Sequence, residues 1–182
     1  MISWKGIETG NQTIENLSLK ENSKNITVTS LVKGIRNNHS ISFNYLLKIT
    51  NDWKVESLRI QSLLETRPDI KLRSDLNGKW FNEDDKHLKH LQDCIDIDIS
   101  VTPFTNSLPI NRLKDKLRIR TELTVLYFDV INWEFKSVKQ YYTKIKDGVY
   151  LYENASSSFK AKIFTDKEGI VLNYPNLFER VT

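Results

Sequence analysis

Hydrophobic and polar residues alternate along much of the chain, and the clearest example covers residues 41–49. Every odd position in this segment is apolar or aromatic, and Ser42, Asn44 and Lys48 lie between them. Because successive side chains of a strand point to opposite faces, a period of two predicts a β-strand with one buried face. The segment is long enough to cross a substantial sheet.

The next apolar segment changes phase partway along. Trp53 and Val55 occupy odd positions, whereas Leu58 and Ile60 continue in even positions. A slip of one residue near 56–57 predicts a β-bulge, which bends a strand and helps a sheet to curve.

Further strands are expected at residues 95–101, 117–128, 132–146, 149–153, 159–165 and 170–174, and the segment 132–146 is either one long strand or two. Asn77-Gly78 and Asp147-Gly148 are typical hairpin turns, and a third turn falls at 167–169. About ten strands with short connections favour an antiparallel meander. Two short helices are expected, at 84–92 and at 107–113, with Ser107 as the N-cap of the second.

These elements predict a mainly β fold, a curved antiparallel sheet or an unclosed β-barrel with one or two short helices. The length of 182 residues suits one domain spanning 1–182. Hydrophobic residues make up 39% of the chain, which is enough for a core. With one cysteine, Cys94, the chain has no intrachain disulfide.

Charge and hydropathy exclude several function classes. The net charge is only +4, and Glu122 continues the strand face of Arg118 and Arg120 and breaks its positive field, so nucleic acid is not an expected partner. No apolar run approaches the roughly 20 residues needed to span a bilayer, so no transmembrane segment is predicted. The opening residues show no signal-peptide pattern, and we expect a cytoplasmic location.

Two carboxylates in the segment 94–113, CIDIDISVTPFTNSLPINRL, are candidates for chemistry. Asp96 and Asp98 lie on the same strand face, about 7 Å apart. This spacing suits acid–base catalysis or a hard metal ion. Alternatively, they face water and keep an apolar strand hydrated, or they line a polar cavity and bind a sugar hydroxyl or an arginine, with Arg73 and Arg112 as partners.

A metal site is a weaker hypothesis. His87, His90 and Cys94 share one face of a helix, but no fourth ligand is evident. We favour solvated histidines and a buried cysteine, and we expect no metal and no cofactor. The chain also lacks the motifs of phosphate-binding loops and of serine nucleophiles.

The segment 94–113 resembles the signature of a bacterial family, the putative glycolipid-binding proteins. Three further motifs carry the resemblance: SWKG at 3–6, SDLNGKW at 74–80, and the final strands QYYTKIKDGVYLYE and GIVLNYPNLFERV. The similarity covers nearly the whole chain, although residues 8–65 match only in strand pattern. It implies an architecture similar to bacterial lipoprotein carriers, an unclosed barrel with little helix.

The resemblance implies that the protein binds a glycolipid or related amphiphile in a barrel cavity, without catalysis. Together with the charge argument it suggests these ligand-binding residues: Arg73, Asp96, Asp98, Thr102, Thr105, Asn106, Arg112 and Tyr142. Two alternatives stay open. One is a hydrolase-like enzyme using Asp96 or Asp98 in a polar cleft, and the other is a purely structural loop at 102–110.

Overall fold

The computed structural model describes residues 1–64 and 67–182. Fourteen strands form one sheet. They are β1 (Ile2–Gly6), β2 (Asn11–Glu21), β3 (Asn25–Arg36), β4 (His39–Thr50), β5 (Val55–Ser62), β6 (Ile70–Ser74), β7 (Trp80–Phe81), β8 (Asp96–Ile99), β9 (Thr121–Asp129), β10 (Glu134–Lys146), β11 (Val149–Asn154), β12 (Lys160–Thr165), β13 (Val171–Tyr174) and β14 (Phe178–Arg180).

The sheet is a long meander that is curved but not closed into a barrel. Strands β1 to β7 run in sequence order toward one edge, and β14 to β8 run in reverse order toward the other. The two halves are joined by β1 and β14, which pair antiparallel at the centre of the sheet. The predicted mainly β, curved and unclosed fold is confirmed.

One pairing departs from the antiparallel prediction. Strand β8 lies parallel to β9, with Asp98 opposite Tyr127, and every other strand pairing within the described residues is antiparallel. The segment 100–120 provides the crossover connection that a parallel pair requires. Within β8, Asp96, Ile97 and Ile99 are buried, and Asp98 is partly exposed.

The strand and turn signals of the first half are confirmed in detail. In β4, Phe43, Tyr45 and Leu47 are buried, and the intervening residues are less so. Lys48 of β4 pairs with Ser57 of β5, whereas the next residue, Ile49, pairs with Val55, so the register between the two strands shifts by one residue. The extra residue is Glu56, the position at which the phase slip predicts a bulge.

Two sequence boundaries in the second half are corrected. The segment 117–128 does not begin as a strand, because Lys114–Arg118 forms a 3₁₀ helix and β9 starts only at Thr121. The segment 132–146 is one strand, β10. The predicted strand at 95–101 is shorter, since β8 covers only Asp96–Ile99.

The second predicted helix is confirmed, and the first is wrong. Helix α1 covers Ser107–Leu113 and follows a 3₁₀ turn at Phe104–Asn106. Ser107 is not its N-cap but its first helical residue, and the Ser107 hydroxyl accepts a hydrogen bond from the backbone N–H of Val171. At 84–92 only Lys89–Leu91 is helical, as a 3₁₀ turn.

The apolar side chains form two clusters beneath the sheet. The larger lies under β1 to β7 and packs against β8 and the turn at Phe104–Asn106. The smaller surrounds α1 beneath β9 to β14, and includes Tyr142, Tyr152 and Tyr174. The segment 94–113 therefore fills the concave side of the sheet. Among the described residues, no helix is both long and apolar enough to cross a membrane.

Candidate ligand-binding site

A cavity of about 450 Å³ opens on the concave side of the sheet, next to the segment 94–113. Alternation along the strands places every second residue of β10 in its wall, namely Lys136, Val138 and Gln140. One part of the wall is polar and consists of Asp98, Ser100, Thr102, Asn106, Tyr127 and Gln140.

The other part of the wall is mainly apolar and aromatic. It is formed by Tyr152, Phe159, Tyr174, Leu177 and Phe178. The Tyr152 ring meets those of Phe159 and Tyr174 edge to face, at centroid distances of 6.0 and 6.2 Å. Such packing fixes the rings and presents a rigid surface to whatever enters.

Asp98 is the central polar group of the cavity. Its Oδ2 accepts a hydrogen bond of 2.6 Å from Gln140 Nε2, and Thr105 Oγ1 lies 3.5 Å from its Oδ1. Burial raises the pKa of the Asp98 carboxyl, and the hydrogen bonds from Gln140 and Thr105 offset part of that effect. No salt bridge within the described residues includes Asp98.

Gln140 is buried on the inner face of β10, with 1% of its surface exposed. Because its amide nitrogen donates to Asp98, its carbonyl oxygen Oε1 is left free. This oxygen has no hydrogen-bond partner in the part of the chain that the structure describes. A buried polar atom without a partner is unusual, and in a cavity wall it is a natural contact for a ligand.

Residues of the TPFTN segment brace the site. Tyr142 donates a 2.8 Å hydrogen bond from its hydroxyl to Asn106 Oδ1. Thr105 Oγ1 accepts the backbone N–H of Ile99 and donates to the carbonyl of Thr102. Thr102 and Asn106 line the cavity, whereas Thr105 and Tyr142 lie behind it and hold it in place.

Asp96 and Arg112 form a pair away from the cavity wall. Arg112 donates Nε to Asp96 Oδ1 at 2.9 Å and Nη2 to Oδ2 at 2.5 Å. Asp96 is 1% exposed and Arg112 16%. The predicted partnership with Arg112 is confirmed, and the alternative that Asp96 faces water is wrong. The pair ties α1 to β8.

Arg73 is not brought to this site. It lies in β6 near one edge of the sheet, where it pairs with Asp85 at 2.8 Å and covers the Phe81 ring. Its guanidinium is half exposed. The hypothesis that Arg73 is a partner of the Asp96 and Asp98 face is therefore wrong.

His87, His90 and Cys94 do not share a helix face. The His87 ring packs against Phe81, and Cys94 Sγ lies 3.4 Å from Ser137 Oγ. Across residues 1–64 and 67–182, no group of three or more His, Cys, Asp or Glu side chains is placed to hold a metal ion.

Comparison with known proteins assigns the chain to a family. The family model described as "Putative glycolipid-binding" matches residues 1–180. The chain belongs to this family. Its structure is similar to the crystal structure of a DUF1089 family protein from Pseudomonas aeruginosa, at a TM-score of 0.81 and 31% identity over 92% of each chain. No curated protein matches the chain.

A further buried carboxyl, that of Glu15, lies behind the cavity. Glu15 in β2 accepts hydrogen bonds from Tyr45 at 2.5 Å and Ser30 at 2.8 Å. Burial raises the pKa of Glu15 to about 7, although hydrogen bonds from Thr102, Tyr45 and Ser30 lower it in part. Thr102 links Glu15 to the cavity wall.

The sequence predicted neither Glu15 nor Gln140. The inner face of β2 begins with Asn11, Thr13 and Glu15, all buried, whereas Ile14 on the outer face is 52% exposed. The polarity of this strand is inverted, so hydropathy gave no sign that Glu15 lies inside.

Each cation that lines the cavity has a carboxylate partner. Arg36 is paired with Glu8, and both line the wall. Lys136 is paired with Glu134 at 2.5 Å. In this member of the family, the site therefore combines acceptor oxygens of Asp98 and Gln140 with an aromatic wall.

Proposed function

We propose that the protein binds a glycolipid or a related amphiphile in the concave cavity, without catalysis. The headgroup lies at the polar end, against Asp98 and Gln140. The apolar part lies along Tyr152, Phe159 and Phe178. The proposal rests on one observation: the buried Gln140 Oε1, which has no hydrogen-bond partner, and an apolar wall belong to the same cavity.

The size and composition of the cavity support this function. Its volume of about 450 Å³ falls in the range of small-molecule sites, about 300–1,000 Å³. A cavity of this size holds a headgroup and the adjoining part of an apolar chain. Membership of the glycolipid-binding family agrees with a ligand of this kind.

The hydrolase-like alternative gains no support from the geometry. It uses Asp96 or Asp98 as the acid or base in a polar cleft, and Asp96 is held by Arg112 outside the cavity wall. Asp98 alone has a hydrogen-bonded amide beside it but no nucleophile positioned by a base. Of the predicted ligand-binding residues, Asp98, Thr102 and Asn106 are retained as direct contacts in this proposal.

Native mass spectrometry of the gently purified protein, followed by organic extraction, tests the proposal. We expect a stoichiometric amphiphile, or its uptake from a mixture of lipids. A clean mass with no uptake from that mixture would contradict it.

Two neighbouring residues of β10 provide a matched pair of variants. Val138 lines the cavity and Lys139 is exposed on the opposite face. Val138→Trp fills the cavity and should abolish retention, whereas Lys139→Trp should retain the amphiphile. Thermal melting of both variants verifies that each is folded. Equal retention by both folded variants would place the ligand elsewhere.

A further inference from the structure

At the polar end of the cavity, the unused hydrogen-bonding capacity of Asp98 and Gln140 is that of acceptors. Gln140 uses its amide N–H on Asp98, which leaves Oε1 without a partner. Asp98 receives one short hydrogen bond and one long contact of 3.5 Å. A carboxylate accepts about four hydrogen bonds, so Asp98 retains capacity. These two side chains therefore select a group that donates.

The cationic groups that a phosphate requires are not free at this cavity. Arg36 and Lys136 are its basic lining residues, and each is paired with a carboxylate, of Glu8 and Glu134 respectively. The side-chain amide N–H of Asn106 is directed to the carbonyl of Pro103. Phosphate recognition in proteins relies on arginine, lysine or clustered N–H groups. The polar end of this cavity presents instead the Asp98 carboxylate, the Gln140 oxygen and the uncharged hydroxyls of Ser100, Thr102 and Tyr127.

Charge acts in the same direction. Asp98 lies in the wall without a cation beside it, in surroundings that screen charge poorly because they are largely buried. A phosphate placed against this carboxylate experiences like-charge repulsion. An uncharged hydroxyl at the same place donates a charge-assisted hydrogen bond to Asp98 and a second hydroxyl donates to Gln140 Oε1.

We infer that the paired oxygens of Asp98 and Gln140 recognise two hydroxyl donors of an uncharged sugar headgroup, and that this pair discriminates against phosphorylated headgroups. The inference rests on the proposed function and specifies its ligand. It assigns Asp98 and Gln140 as the residues that determine headgroup specificity. Thr102 and Asn106 shape the same end of the cavity.

The test compares short-chain lipids that differ only in the headgroup. Dioctanoylglycerol carrying glucose, dioctanoyl phosphatidic acid and unmodified dioctanoylglycerol are titrated into the wild-type protein by isothermal calorimetry at pH 8. We expect the glucosyl lipid to bind about ten- to a hundredfold more tightly than the phosphate lipid, the factor that one charge-assisted hydrogen bond provides. Equal or tighter binding of the phosphate lipid would overturn the inference.

The variant Asp98→Asn tests the role of the carboxylate. It keeps the shape of the side chain, and it should reduce the affinity for the glucosyl lipid by about tenfold or more and narrow the preference over the phosphate lipid. Asp115→Asn, an exposed carboxyl 71% accessible, is the matched control and should leave both affinities unchanged. An unchanged preference in folded Asp98→Asn would refute the assignment.

The outcomes separate the two proposals. If none of the three lipids binds, the proposed function fails and the inference fails with it. If the lipids bind without a headgroup preference, amphiphile binding stands and only the inference fails. The wild-type comparison requires no substitution, so it decides the question even if Asp98→Asn does not fold.

Discussion

Removal of the Asp96 carboxylate should destabilise the fold more than any exposed charge does. In Asp96→Asn, Arg112 keeps its charge but loses its counter-charge and one of its two hydrogen bonds, because the amide retains only one acceptor oxygen. Removing one partner of a buried pair costs about 3–5 kcal/mol. Since Arg112 is 16% exposed and is partly hydrated after the change, we expect the lower end, about 3 kcal/mol.

For a domain of this length, each kcal/mol lowers the melting temperature by roughly 2–4 °C. Asp96→Asn should therefore melt about 6–12 °C below wild type. Thermal melts at pH 7 followed by circular dichroism, together with urea denaturation, measure the loss. Asp115→Asn, whose salt bridge to Arg118 is exposed, should change stability by less than about 1 kcal/mol.

A double variant separates an unpaired charge from a general loss of packing. In Asp96→Asn with Arg112→Met, no uncompensated charge remains in the structure, so at least half of the lost stability should return. A melting temperature of Asp96→Asn within about 2 °C of wild type would refute the reasoning that this pair fastens α1 to β8.

Three further changes have defined outcomes. Between the ordinary pKa of 4.5 and the raised pKa of about 7, Glu15 is protonated in the folded state and ionised in the unfolded state. The free energy of unfolding should therefore fall by up to about 3 kcal/mol as the pH rises through this interval. Glu15→Gln should remove this loss in urea titrations. Tyr142→Phe leaves the buried Asn106 Oδ1 without its donor and should cost about 1–2 kcal/mol in urea denaturation. Gly34 has a φ of +142°, and an added Cβ would lie 2.1 Å from a backbone oxygen of β2. Gly34→Ala should therefore lower the free energy of unfolding by about 2 kcal/mol or more, which thermal melting measures.

Each of these changes has a control and a result that contradicts it. Tyr141→Phe removes an exposed hydroxyl that bonds Glu122 and should cost less than about 0.5 kcal/mol. Gly148→Ala, where the nearest atom is 3.2 Å away, should cost less than Gly34→Ala. A pH dependence shared by wild type and Glu15→Gln would show that another group is responsible. Equal losses for the tyrosine pair, or for the glycine pair, would contradict the packing arguments.

Local patterns predicted the sheet well where one face is buried. The alternation of β4 gives its burial pattern directly, and the slip at Glu56 follows from a single residue that the partner strand does not match. Asn77-Gly78 produces a turn because Gly78 adopts a φ of +94°. These signals depend only on neighbouring residues.

The parallel strand β8 could not be predicted from alternation. Its aspartates suggest an exposed face, yet Asp96 is buried because Arg112, sixteen residues later, returns to neutralise it. Asp98 is covered by Gln140, 42 residues further along the chain. Asp96 and Asp98 can be buried because their partners come from the crossover segment and from β10. Only the tertiary structure brings these partners together.

The residues of the candidate site also differ in whether local sequence patterns could predict them. Asp98, Thr102 and Asn106 were identifiable because they belong to one continuous motif. Glu15 and Gln140 were not identifiable, because the residues around each of them in its strand show no contrast in polarity that marks the side chain as buried. Arg73 shows the reverse error: it was chosen for its charge, and the register of β5 and β6 places it at the sheet edge with Asp85.

The pairing of β1 with β14 sets the order in which the protein is assembled on the ribosome. Hairpins of neighbouring strands form within about microseconds of their synthesis. Strand β1, however, waits for a partner roughly 170 residues further along the chain. At about 5–20 residues per second, that interval is roughly ten to thirty seconds. During these seconds, one edge of β1 stays unpaired and is open to pairing with another chain. Chaperone protection therefore matters most in the interval before β14 is synthesised.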